Sequence, residues 1–302
     1  MGKNTESTVY FCPRITPENL VKLYKMLGRE AHGRVCAKLS TGEAGNPNHL
    51  SVDVIKELIG LTQATIVECN TTYDGRRNNT FDHLQTAKEH GFSAIAEVDI
   101  MDDGGDIALP VRNGRHLKEN YVGKNWRNYD FTMMLSHFKG HPMAGFGGAL
   151  KNVAIGMASA AGKSWIHTGG VSRETPLPFD KIADQDVFLE CMAEACESVF
   201  DKAGENILFI SVANNLSVDC DCVSRPQPAK ISDIGIFASL DPVALDRACV
   251  DKVINNPEDG KKDLVEQMKA RHAMHLLDYA EELGLGTQNY KLVEVESEPI
   301  NG

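Results

Sequence analysis

Six short apolar runs alternate with stretches of helical periodicity, and that alternation leaves the chain few architectures. The runs are RVCAKL (34–39), TIVECN (65–70), SAIAEVD (93–99), YDFTMMLSH (129–137), NILFISVANN (206–215) and DIGIFASL (233–240). Between them the periodicity predicts helices over 17–29, 51–60, 80–90, 148–161, 184–202, 242–254 and 262–283. Pro17 and Glu18 open the first, Ser51 and Thr80 are the expected caps of the next two, and Gly284 stops the last. Continuous apolar runs suit strands buried on both faces. The prediction is therefore an α/β fold, a mostly parallel sheet with helices on both faces in Rossmann-like layers. A length of 302 residues is compatible with one large domain or two closely packed lobes. We read 1–302 as a single α/β domain. A lobe division would fall in the Pro176- and Pro178-bearing connection at 168–184.

Charge and composition narrow the partners. A net charge of −11, with no polybasic stretch, speaks against nucleic acid. No apolar run approaches the ~18 residues of a membrane span, and the start MGKNTESTVYFCP has no apolar core of a leader. Eight cysteines without a secretion signal predict reduced thiols and a soluble, cytoplasmic protein.

In open α/β sheets ligands gather beyond the carboxyl ends of strands. The richest such place is Ser136–His167, SHFKGHPMAGFGGALKNVAIGMASAAGKSWIH, which follows a strand. Gly145, Gly147 and Gly148 read as a loop with positive φ that opens a helix and offers backbone N–H groups to an anion. Lys151 falls in the first turn of that helix, where a cation sits badly unless an anion answers it. It is expected to contact a phosphate or carboxylate, or to act as a nucleophile of depressed pKa. His141 supplies a nitrogen for a metal or for proton transfer. The stretch Gly156–Ser164 imitates a phosphate loop but has Met157 where the first glycine is required, and it is expected to end a helix.

Asp219-Cys220-Asp221-Cys222 is the second candidate. In an extended segment Cys220 and Cys222 point to one side, and paired thiolates suit zinc, iron or a cluster. His or a carboxylate from another loop must complete the ligand set. The alternative is two partly buried thiols flanked by solvated acids. Cys36, Cys191, Cys196 and Cys249 read as small core hydrophobes. Arg76 and Arg77, just before a helix, are placed to grip a phosphate or carboxylate, with a solvated surface pair as the alternative. Asp102, Asp103 and Asp106 match no calcium spacing and read as a solvated turn. His272 and His275 read as surface residues.

The pieces FCPRITPENL, KLSTGEAGNPNHL, ECNTTYDGRR, SHFKGHPMAGFGGALKN, DCDC and ASLDPVALDRACVD, in this order, resemble the uncharacterised iron–sulfur-centre proteins that contain domain of unknown function 362. Many members carry a ferredoxin-like insert after the GMAS-AGK segment; here HTGGVSRETPLPF stands there and holds no cysteine. A fainter similarity is to the N-terminal domain of nickel-pincer lactate racemases, through His141, Ala144-Gly145-Phe146, Gly147-Gly148 and Lys151. That resemblance implies Lys151 as the tether of a nucleotide-like cofactor and His167 as a metal ligand. The family's earlier His has no counterpart, and Tyr73 and Arg77 stand in that region instead.

The resulting expectation is a metal- or cofactor-binding enzyme acting on a small anionic molecule, by redox chemistry or racemase-like proton transfer. His141 and Lys151 are its catalytic candidates. Gly145, Gly147, Gly148, Lys151, Arg76 and Arg77 would hold the cofactor, and His141, His167, Cys220 and Cys222 a Zn, Fe or Ni centre. The alternative is a non-enzymatic metal or iron–sulfur carrier for a redox partner protein.

Overall fold

The computed structural model describes residues 6–296, so the ends of the predicted 1–302 domain lie outside the described residues. The strands are β1 (Ser7–Cys12), β2 (Val35–Lys38), β3 (Thr65–Glu68), β4 (Val98–Ile100), β5 (Asp106–Pro110), β6 (Glu119–Gly123), β7 (Phe131–His137), β8 (Lys139–His141), β9 (Gly145–Gly147), β10 (Ile207–Ala213), β11 (Gly235–Ser239) and β12 (Tyr290–Glu294). The helices are α1 (Pro17–Met26), α2 (Val52–Thr62), α3 (Thr80–Glu89), α4 (Ala149–Met157), α5 (Ala160–His167), α6 (Gln185–Ala203), α7 (Pro242–Ile254), α8 (Lys262–Ala270) and α9 (Met274–Glu282).

Eight strands form one sheet in the order β12-β1-β11-β10-β7-β2-β3-β4. Within it β11 alone runs against its neighbours; the other pairings are parallel. Strands from both sides of the 168–184 connection share this sheet, because β7 pairs with β10.

The continuous apolar runs have the expected cause. Along β10, Leu208, Ile210 and Val212 enter a core with Leu20, Leu23, Ile55 and Leu58 of α1 and α2, while Ile207, Phe209 and Ala213 enter a second core with α4, α6, α7 and α9. Alternate residues point to opposite faces, so a strand covered on both sides has no polar positions to spare. The architecture is thus the mostly parallel α/β sheet with helices on both faces.

Several elements depart from the sequence reading. The run at 93–99 is a short 3₁₀ turn, Phe92–Ala94, followed by the brief β4. Asn79 rather than Thr80 caps α3, its side chain accepting the Asp82 N–H. The helix expected over 148–161 is two. Ala158 is extended (ψ 139), and Ser159 starts α5 by accepting the Gly162 N–H, so the false phosphate loop begins a helix as well as ending one. His272, at φ 50, splits the 262–283 helix into α8 and α9. The strands β1 and β12 and the hairpins β5–β6 and β8–β9 lack long apolar runs and have no counterpart among the predicted strands.

Helix α6 fastens the segment after β5 through buried carboxylates. Glu194 is fully buried and accepts the backbone N–H groups of Arg115, His116 and Leu117 and the Tyr279 hydroxyl. Glu197 accepts those of Arg112 and Asn113. These amides have no ladder partner, so the carboxylates stand where backbone acceptors otherwise would. Glu194→Ala is expected to lower the free energy of unfolding by about 3 kcal/mol, measured by urea denaturation, because it strands several buried donors at once.

Candidate functional site

A cavity of about 280 Å³ opens at the carboxyl ends of β2, β3 and β7, where the rule for open α/β sheets places ligands. Lys38, Arg77, Lys139, Lys151 and Lys163 line it against the carboxylates Glu68 and Asp221, and His137, His141, His167, Cys220 and Cys222 share the lining.

The glycine segment is not a plain loop. His141 ends β8, and Gly145–Gly147 return as β9, antiparallel to it. Only Gly145 of the three has positive φ (80), where a side chain would also press on Ala273. Gly147 leaves room beside Lys151: a Cβ there would lie 3.4 Å from Lys151 Cδ and 3.8 Å from Lys139 Cε. Gly148 is the N-cap of α4 at φ −139, and a Cβ there would lie 2.2 Å from Asp246 Oδ1.

That contact corrects the expected anion site on the helix amides. The Ala149 and Leu150 N–H groups donate to the two oxygens of buried Asp246, at 2.7 and 2.9 Å. Burial pushes this carboxyl up to about 7, against the pull of the two amides. The positive end of α4 is therefore already capped by an acid from α7.

Lys151 makes no hydrogen bond or ion pair among the described residues. Burial, helped by the nearby Lys139, lowers its ammonium to about 7. Lys163 on α5 donates only to the Ala158 carbonyl, at 2.6 Å, and burial lowers it as well. Lys38 and Arg77 behave differently. Both pair with Glu68, at 2.9 and 3.2 Å, and although burial pushes the Glu68 carboxyl up, these cations hold it at about 2. Arg77 also lies 3.5 Å from Glu43 and donates to the Tyr73 hydroxyl. Arg76, by contrast, does not line the cavity; its guanidinium pairs with Glu89 at 2.6 Å on the surface.

The two histidines expected in the site have opposite tautomers. His141 Nδ1 accepts the N–H groups of Met143 and Ala144, at 3.2 and 3.0 Å, so its proton sits on Nε2. His167 Nδ1 faces the Lys163 carbonyl at 2.7 Å and must donate to it, which leaves the Nε2 lone pair free. Burial lowers both, His141 far below the usual histidine range and His167 to about 4. Both are neutral at physiological pH.

Asp219–Val223 is a turn rather than an extended segment: Val223 N–H donates to the Cys220 carbonyl. Cys220 and Cys222 form a disulfide, against the expectation of reduced thiols; the other six cysteines are buried. Asp221 between them is buried rather than solvated. It accepts from His137 Nδ1 at 2.8 Å and Lys139 Nζ at 2.6 Å. The ligand atoms of His141, Cys220 and Cys222 lie within 4.8 Å of one another, the one group of three such residues among those described; His167 lines the same cavity but does not join it.

Two thiolates and an imidazole are a suitable donor set for zinc, iron or nickel. The fit requires the disulfide to be reduced first, and a cation at His141 Nε2 would displace the proton there. A four-thiolate cluster is not assembled among the described residues. Asp102, expected in a solvated turn, instead ties two loops together by accepting the Asn70 and Ala160 N–H groups.

Sequence reasoning missed His137, Lys139, Lys163, Glu68, Asp221 and Asp246. A lysine inside the apolar run RVCAKL was the available signal that a buried acid must face it.

Residues 35–251 match the family described as domain of unknown function (DUF362), most of the chain. The chain belongs to this family. Among solved structures it is similar to the lactate racemase apoprotein from Thermoanaerobacterium thermosaccharolyticum, with 12% identity, TM-score 0.47 and coverage of 81% of this chain and 56% of that one. It is also similar to a protein from Thermotoga maritima, with 14% identity, TM-score 0.43 and coverage of 78% and 57%. The chain thus spans little more than half the length of either. No curated protein matches it.

Lys151 provides a direct check of the electrostatics. Its acylation rate, followed by mass spectrometry across pH, is expected to reach half its maximum near 7, whereas surface lysines titrate near ~10.4.

Proposed function

We propose that this protein is a metal-dependent enzyme that holds a small anionic substrate in the cavity and transfers a proton to or from it. One observation carries the reading: Lys151, a partly buried lysine with no ion-pair partner among the described residues, lines the same cavity as the cluster of His141, Cys220 and Cys222. A buried ammonium is stable only when paired, so an anion entering the cavity gains an ion pair and Lys151 its counter-charge.

In this reading Lys151 orients the anion, and Gly147 leaves space beside it. His167, with its free Nε2, accepts a proton from the substrate, and the Lys163 carbonyl at Nδ1 holds its ring in place. The apolar lining residues Met143, Ile155 and Leu177 keep water from the charges. His141, Cys220 and Cys222 hold the metal, which supplies a Lewis acid toward a substrate oxygen. A cytoplasmic setting suits this site, because thiol systems there keep such a pair reduced.

Elemental analysis of protein purified anaerobically with a dithiol is expected to find about one metal ion per chain, lost in Cys220→Ser and in Cys222→Ser. Lys151→Ala should retain the metal and lose anion binding. A reduced wild type that holds no metal would sink the metal assignment. A Lys151→Ala variant that binds small anions as before would sink the role of the cavity.

A further inference from the structure

The carboxylates around the cavity are already committed. Glu68 serves Lys38 and Arg77, Glu43 sits beside Arg77, and Asp221 serves Lys139 and His137. Among the described residues two amines remain without an ion-paired acid: Lys151, which has no hydrogen-bond partner, and Lys163, which has only the Ala158 carbonyl. Both line the one cavity.

The groups acting on Lys151 are Lys139, Asp221, Lys38 and Arg77, with His141 and His167 nearby; those acting on Lys163 are Cys69, Asp102, Lys38 and Glu68, with His167 again. Asp102 acts on Lys163 only through space and makes no ion pair with it among the described residues; its oxygens accept the Asn70 and Ala160 amides. His167 lies within the field of both amines.

From this pairing we infer that the cavity selects a small dianion, a ligand with two negative charges answered together by Lys151 and Lys163. The inference rests on the anion-binding cavity proposed above and defines its substrate class. A cavity of about 280 Å³ is in the size range of small-molecule sites. A phosphate monoester and a short dicarboxylate share the required chemistry, whereas a simple monocarboxylate leaves one amine unanswered.

The empty and filled states differ in protons. Burial lowers both amines, Lys151 to about 7, so Lys151 is largely neutral when the cavity is empty at pH 8. Two negative charges favour the ammonium forms, so binding takes up protons, and affinity falls as pH rises above 7.

Calorimetry at pH 8, with inorganic phosphate, malonate, acetate and lactate in two buffers of different ionisation heat, tests this. At least one dianion is expected to bind about tenfold or more tightly than either monoanion, with proton uptake read from the buffer dependence. Phosphate alone binding tightly assigns a phosphate ester; malonate alone assigns a dicarboxylate. Lys163→Met should reduce the dianion to the affinity of a monoanion. Equal binding of monoanions and dianions, or an unchanged preference in Lys163→Met, overturns the inference and leaves the anion cavity standing. Absence of proton uptake in the wild type overturns it independently of how any variant folds. Failure of all four probes to bind removes the anion cavity and the inference together.

Discussion

The buried carboxylate of Asp221 holds this site together. It sits between the two cysteines of a tight turn and takes the His137 ring and the Lys139 ammonium. Its backbone carbonyl accepts the Glu43 N–H, and the Asn46 side chain bonds the neighbouring carbonyls of Cys220 and Val223. Burial alone would push the Asp221 carboxyl up; His137 and Lys139 reverse that and hold it far below the usual carboxylate range. One residue thus joins the end of β7 and the start of β8 through its side chain, and the loop after β2 through its backbone carbonyl. The proximity of the sulfurs to His141 depends on those attachments.

The cavity gathers more basic side chains than the surrounding carboxylates pair. Glu68 and Asp221 neutralise the cations that stiffen its floor, and Asp246 caps the helix that carries Lys151. Each carboxylate is thereby committed to structure. Lys151 and Lys163 are the amines left to respond to a ligand, and the lowering of both below the ordinary lysine range follows from that division of roles rather than from any special feature of lysine.

Much of the fold could be read from the sequence because strands buried on both faces produce unbroken apolar runs, as in β7 and β10. Edge and hairpin strands are short or half-exposed, and β1, β8 and β12 carry no such signal. In the site, Lys151 and His141 were legible because a glycine-rich turn before a helix is a local pattern. Arg76 and Arg77 looked alike in sequence, yet one pairs with Glu89 at the surface and the other is buried against Glu68. Adjacent side chains leave the backbone in different directions, and only the fold determines which one meets an acid. The capping of α4 by Asp246 was invisible for the same reason: the two lie almost a hundred residues apart.

By itself the sequence determined the family, the α/β layering, the helix starts at Pro17 and Ser51, and the cluster of reactive residue types in two segments. These follow from local periodicity and local chemistry. Tertiary structure decided which charges are cancelled, which tautomer each histidine adopts, and that Cys220 and Cys222 close on each other beside His141. Those outcomes depend on desolvation and on partners from distant strands, and a charge buried without its partner costs too much for local sequence to settle its state.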